Sequence, residues 1–124
     1  MNGAPVIVQA NTAKVLGIRG GILDQGAVAL MPPIGYSPTG EVFNLSAADV
    51  ARSAAIALGA HKLIFLCEHP GLRDPLGHLV SNVLSSEVDH LLDSRPDLPE
   101  EMAQALRAGA DACIQGVDRA HLID

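Results

Sequence analysis

The stretch from Met31 to Leu72, MPPIGYSPTGEVFNLSAADVARSAAIALGAHKLIFLCEHPGL, constrains the fold more than any other part of the chain. It carries, in order, the signals of a strand, a tight turn, a short strand, a helix, a third strand and a glycine turn. Apolar Val28, Leu30 and Met31 lead into Pro32-Pro33. Proline has no N–H to donate, so this pair is expected to end the first strand's pairing. Ser37-Pro38-Thr39-Gly40 is turn chemistry: proline presets φ and glycine tolerates the exit. Glu41 to Asn44 forms the second strand, and Ser46 is placed to cap a helix by accepting a free backbone N–H. In that helix Ala47, Val50, Ala51, Ala54, Ala55 and Leu58 recur at helical spacing as one narrow stripe, and Gly59 closes it. Lys62 to Cys67 is apolar after one lysine, the pattern of a strand covered on both faces. Pro70-Gly71 stops it.

The flanking regions extend the same alternation. Upstream, Pro5 to Val8 reads as a short strand. Arg19-Gly20-Gly21 has glycine-loop composition without a complete strand–GxGxxG–helix context, so a plain turn accounts for it as well. Ile22 to Gln25 reads as the last turn of a short helix closed by Gly26. Downstream, Leu72 to His78 is a polar connection punctuated by Pro75 and Gly77. Leu79-Val80 is a short strand candidate. Ser85 or Ser86 caps a helix carrying Val88, Leu91 and Leu92, and Asp93 to Leu98 is a linker. Pro99 suits a first helical position, and Glu100 and Glu101 favour the positive helix start. In the helix that follows, Met102, Ala105, Leu106, Gly109, Ala110 and Cys113 form one face. Glu101, Gln104, Arg107, Asp111 and Gln115 face away. Gly116 ends the helix and Ala120 to Ile123 is the last strand. Strands separated by helices imply parallel crossovers, hence an α/β class and a three-layer α/β/α sandwich with a mainly parallel sheet.

Composition narrows the function classes. The 124 residues are a prior for one domain. Aromatics make up only 2% while apolar residues make up 48%, so the core must be aliphatic and alanine-rich. A net charge of −6 argues against nucleic acid or an anionic membrane as partner. Cys67 and Cys113 stand alone in apolar patterns, as reduced buried thiols of a cytoplasmic protein do. No signal peptide or membrane-spanning apolar run is present. The five histidines lack metal-ligand spacing.

The wording of the central stretch, above all PPIGYSPTGEVFNLSAADVA, resembles the C-terminal half of an amino-acid-kinase domain, the fold of acetylglutamate kinase. It is most similar to the kinase-like domain of bacterial N-acetylglutamate synthase. The resemblance runs to the last residue and implies that residues 1–124 are a single, partial amino-acid-kinase fold without the acetyltransferase domain of that family. It also implies a fragment or a shortened relative with open sheet edges, and so a homo-oligomer.

Set against the kinases of this family, the chain departs where phosphoryl transfer needs charge. Their helix-start motif is Asn-x-Asn-Ala-Asp. The first Asn, which holds substrate, is Asn44 here, while Ser46 replaces the second and Ala48 stands at the Asp position. Asp49 is one residue later, about 100° round a helix. The nucleotide-contacting strand end, usually Thr/Ser-Asp-Val-x-Gly, reads Cys67-Glu68-His69-Pro70-Gly71, in which Gly71 persists. The late helix lysine is replaced by Ala105. Losing one preorganised charge-stabilising donor typically costs on the order of 10²–10³ in rate, and phosphoryl transfer is mostly positioning and charge stabilisation. The resemblance therefore implies no catalytic residue and no cofactor in this chain, but a regulatory or binding domain of arginine biosynthesis whose ligand is arginine or an acylated glutamate. Asn44, Gly71 and His121 are the ligand-binding candidates. His121 resembles the histidine near the arginine site of arginine-sensitive members, although a histidine at a sheet edge fits the same pattern. Two rivals stand beside this expectation: a working acetylglutamate-kinase-type phosphotransferase, with Lys62 or Lys14 as substitute cation, and a structural oligomerisation module.

Overall fold

The computed structural model describes residues 25–26, 28, 30–68 and 71–123. Their elements are β1 (Ile34–Tyr36), β2 (Val42–Asn44), α1 (Ala47–Leu58), β3 (Lys62–Leu66), α2 (Val88–Ser94), α3 (Glu100–Ile114) and β4 (Arg119–Ile123). β1 and β2 form an antiparallel hairpin in which Gly35 faces Phe43. β3 and β4 are parallel, with Lys62 paired to Arg119, Ile64 to His121 and Leu66 to Ile123. A parallel pair joined through helices is the expected α/β arrangement. The expectations for Pro5 to Val8, Arg19 to Gly21 and Ile22 to Asp24 lie outside the described residues.

The hairpin turn forms as its residues dictate. The Ser37 Oγ accepts the Glu41 N–H at 3.0 Å, and the Gly40 N–H donates to the Ser37 carbonyl at 2.9 Å. The first strand, however, lies after the proline pair and not before it. Val28 and Leu30 are 91% and 96% exposed and outside any strand. The reason is the asymmetry of proline. It lacks a donor but keeps its carbonyl, and the Leu45 N–H donates to the Pro33 oxygen at 2.9 Å. Pro32-Pro33 therefore opens the pairing.

Ser46 caps α1 by accepting the Asp49 N–H, and Gly59, in the left-handed region, returns its N–H to the last carbonyls. Only Ala55 of the predicted α1 stripe is buried; Ala51 packs beside it, and Ile56 joins the core from outside that stripe. Neither Ser85 nor Ser86 caps α2. Both lie in a 3₁₀ turn, Ser85–Glu87, that runs into α2 without a side-chain cap. Pro99 sits one position before the first helical residue of α3. Leu79-Val80 does not build a strand; Leu79 makes one isolated bridge to Arg73.

The core has two parts and α3 belongs to both. Ala55, Leu63, Ala112 and Val117 form one cluster, and Leu72, Val88, Met102 and Leu106 form the other. α3 touches α1, α2, β3 and β4. Its buried surface is consequently wider than the predicted face: Ala103, Ala108 and Ala112 are buried as well. Asp111, placed on the outer face by periodicity, is half-buried and accepts from Arg52 of α1 at 3.1 Å. At this exposure the ion pair contributes about 0–1 kcal/mol. Small residues let α3 approach the sheet closely. A Cβ on Gly109 would stand 2.9 Å from the Ala120 Cβ.

β3 buries Leu63 on the helix side, while Ile64 and Leu66 on the opposite side are 52% and 75% exposed. Among the described residues, the helices thus cover one face of the β3–β4 pair.

Gly109→Val forces a branched side chain into the α3–β4 contact. The expected loss is about 1–3 kcal/mol of stability, the usual cost of overpacking, read as a lower Tm in a thermal melt. An unchanged Tm would show that α3 and β4 are not packed this closely.

Candidate functional site

A cleft of about 480 Å³ opens between the chain after β3 and the exposed edge of β4. Its floor is α3, where Ala105, Leu106, Gly109 and Cys113 contribute. One rim is the segment Gly71–Leu72 with Leu79–Ser85, and the other is Arg119 to Leu122 of β4. The lining is mostly aliphatic, and its polar residues are Ser81, Asn82, Ser85, Arg119 and His121. That mixture suits a small ligand with an apolar body and a few hydrogen-bonding groups. On β4, Arg119 and His121 alternate with Ala120, which packs on α3, so they share the face of Ile64 and border the cleft at the strand's edge.

The first rim is shaped by Asp74. Its Oδ1 accepts the N–H groups of Leu76 and His78, both at 2.9 Å, and its own N–H donates to the His78 carbonyl at 2.8 Å. The Val80 N–H then donates to the Leu72 carbonyl at 2.8 Å, which closes the hairpin-like loop. Gly71 starts this loop at φ +84, and a Cβ there would stand 3.0 Å from the Leu79 Cδ1. The positive φ is what favours glycine here, since the exposed Leu79 side chain can move aside.

Arg95, just after α2, fixes the loop to the body. Its guanidinium forms a two-bond fork with Asp97, Nε to Oδ1 at 2.9 Å and Nη2 to Oδ2 at 3.0 Å. Its Nη1 donates to the Arg73 carbonyl at 2.7 Å. The Arg95 side chain is only 14% exposed. The hydrogen bond from Arg95 holds the Asp97 carboxyl below its ordinary value, and the same bond raises Arg95. Burial, with a smaller contribution from Glu101, pushes the Cys67 thiol up.

Of the three residues expected to bind ligand, the cleft brings together Gly71 and His121 and leaves out Asn44. His121 is half-buried in the middle of β4, and Asn44 is exposed at the end of β2. Ala105 is 3% exposed in the cleft floor, whereas half-buried Ala48 lies in the first turn of α1 and does not line it. Lys62 is exposed at the start of β3, outside the cleft. Cys67 is buried as expected, but Cys113 is only half-buried because it borders the cleft. Among the described residues, no group of three His, Cys, Asp or Glu side chains is placed to hold a metal ion. No described helix is long and apolar enough to cross a membrane. Sequence reasoning missed Arg95 and Arg119. Arg95 could not have been found by a local signal, since its carbonyl partner is 22 residues away.

Asp97 titrates below the ordinary carboxylate value in the folded chain. Its contribution to stability is therefore complete above the unfolded-state pKa, near 3.9, and is lost as pH falls through the lower folded value. Asp97→Asn is expected to lower stability at neutral pH and to converge with wild type in acid, checked by denaturant melts across pH. Parallel curves at every pH would remove Asp97 from the acid dependence.

Comparison with known proteins places this geometry among relatives. The profile of the amino acid kinase family matches residues 11–124. An amino-acid acetyltransferase of Pseudomonas putida is 45% identical over 103 residues, which is 82% of this chain and 23% of the relative. One from Pseudomonas fluorescens is 43% identical over 102 residues, with the same coverage. The chain thus spans about a quarter of the length of these relatives. The solved N-acetylglutamate synthase of Neisseria gonorrhoeae, complexed with coenzyme A and L-arginine, superposes with a TM-score of 0.79 at 29% identity. That match covers 100% of this chain and 29% of the other. A Streptococcus mutans structure at 23% identity shares the fold, with a TM-score of 0.80 over 94% of this chain.

Proposed function

Since the chain belongs to the amino acid kinase family, we propose that its 124 residues act as a kinase-like domain that binds a small ligand and transfers no phosphoryl group. The carrying observation is Ala105. The family pattern puts a lysine there; this chain has a methyl group, 3% exposed, in the floor of the cleft. Ala48 likewise replaces the carboxylate that would orient such a lysine. With neither charge present, the cleft offers binding and not transition-state stabilisation. The larger protein to which such a domain corresponds is an N-acetylglutamate synthase, which acetylates glutamate from acetyl-CoA in the cytoplasm as part of arginine biosynthesis.

The ligand class follows from two supports. The cleft combines an aliphatic floor with Asn82, Arg119 and His121 at its rim. A solved relative was complexed with coenzyme A and L-arginine, and another structure of it with coenzyme A and N-acetylglutamate. L-arginine or an acylated glutamate is accordingly the proposed occupant, contacted by Gly71 and His121. Asn44 enters only as the retained family residue, at a separate place. The exposed Ile64, Leu66 and Ile123 on the open sheet face support self-association.

Titration calorimetry on a sample with a cooperative melt tests the proposal. No heat is expected with MgATP, and binding is expected with L-arginine or N-acetylglutamate, weakened about tenfold or more by His121→Ala, the scale of one lost hydrogen bond to a charged ligand. Micromolar MgATP binding would overturn the non-kinase reading. Arginine affinity untouched by His121→Ala would remove that residue from the site.

A further inference from the structure

We infer that Arg95 is a positioning residue for the cleft: it latches the Leu72–Val80 loop to the body and so sets the cleft's width without lining it. The inference rests on the reading that this cleft is the ligand site.

The loop is internally well ordered by its own bonds. Asp74 organises the turn, the Arg73 guanidinium donates to the Gly77 carbonyl at 3.0 Å, and Val80 closes back on Leu72. None of those bonds fixes the loop relative to α2 and α3. Three contacts do. Leu72 is buried against Val88, Met102 and Leu106 at the loop's start, and Val80 packs on the same cluster at its end. Between them, the Arg95 Nη1 bond to the Arg73 carbonyl ties the loop to the turn after α2. Asp97 engages the other two guanidinium positions, so the planar fork is preset to offer Nη1 to Arg73. A charge-assisted bond of 2.7 Å is of the strong kind. Leu79 and Val80, which follow on the same loop, form the cleft's rim. Releasing Arg73 leaves the loop held through Leu72 and Val80 alone, so that the rim they carry can shift relative to β4. Cys113 lies in the cleft floor, while Cys67 is buried outside the lining. The two free thiols therefore report separately on the cleft and on the whole fold.

The experiment compares wild type, Arg95→Ala and Arg95→Lys by iodoacetamide labelling resolved by mass spectrometry at each cysteine. It adds amide exchange at Val80 and titration with L-arginine and N-acetylglutamate. Arg95→Ala is expected to speed Cys113 labelling about tenfold, the change one such bond supports, and to speed Val80 exchange. Cys67 should stay slow. Arg95→Lys keeps the charge but not the fork and should fall between. Affinity for whichever ligand wild type binds should drop in the same order. Unchanged Cys113 labelling would overturn the latch. Parallel acceleration at both cysteines would also overturn it, showing a contribution to overall stability alone. If wild type binds neither ligand, the proposed function fails, while the labelling still decides the latch.

Discussion

The close approach of α3 to β4 is the contact on which the rest of this structure depends. Gly109 faces Ala120 with no room for a further carbon. The neighbouring positions Ala105, Ala108 and Ala112 are buried alanines. An alanine buries little area, so its contribution to the hydrophobic effect is small. Compensation comes from proximity: small side chains bring a helix near enough to a sheet for dense packing, and interiors at that density have many dispersion contacts per atom. With 2% aromatics the chain has no large rings to fill gaps. α3 therefore serves both hydrophobic clusters, with α1 on one side and β3 and β4 on another.

The candidate site is a by-product of that arrangement. Because α3 is thin where Gly109 and Ala105 lie, the space above it remains open between β4 and the loop after β3. The same small residues that permit close packing on one side leave the cleft floor smooth on the other. Where the kinase pattern places a lysine, this chain places a methyl group that belongs to the packing. In the proposed function, structural economy and the lack of a phosphoryl-transfer charge meet at one residue, Ala105. The rim, in contrast, is built from polar bonds. Asp74 shapes the loop, and Arg95 ties it down through a backbone oxygen.

Much of the fold was legible in the chain because its signals are local. Ser46 and Gly59 mark the ends of α1, and the run after Lys62 gives β3 nearly to the residue. The turn at Ser37 to Gly40 forms the bonds its residues imply. Errors came where a local rule has two outcomes. A proline pair stops donation yet still accepts, and here it opens β1. Serines before α2 could cap it, but the chain enters through a 3₁₀ turn instead. Of the residues that the resemblance marks as ligand-binding candidates, Gly71 and His121 line one cleft, whereas Asn44 does not. Arg95 was invisible because a side chain that binds a distant carbonyl leaves no periodic or motif signature.

The sequence by itself determined the alternation of strands and helices, the cap and closing glycine of α1, the turn at Ser37 to Gly40, the aliphatic character of the core and the acidic balance. Each of these depends on residue type and near neighbours. Tertiary structure alone decided that α3 buries two sides, that Asp111 turns inward to Arg52, and that Cys113 borders a cleft while Cys67 does not. It also decided that Arg95 reaches Arg73. These outcomes depend on which surfaces meet across the chain, and that is fixed only when helices of small residues pack as closely as their side chains allow.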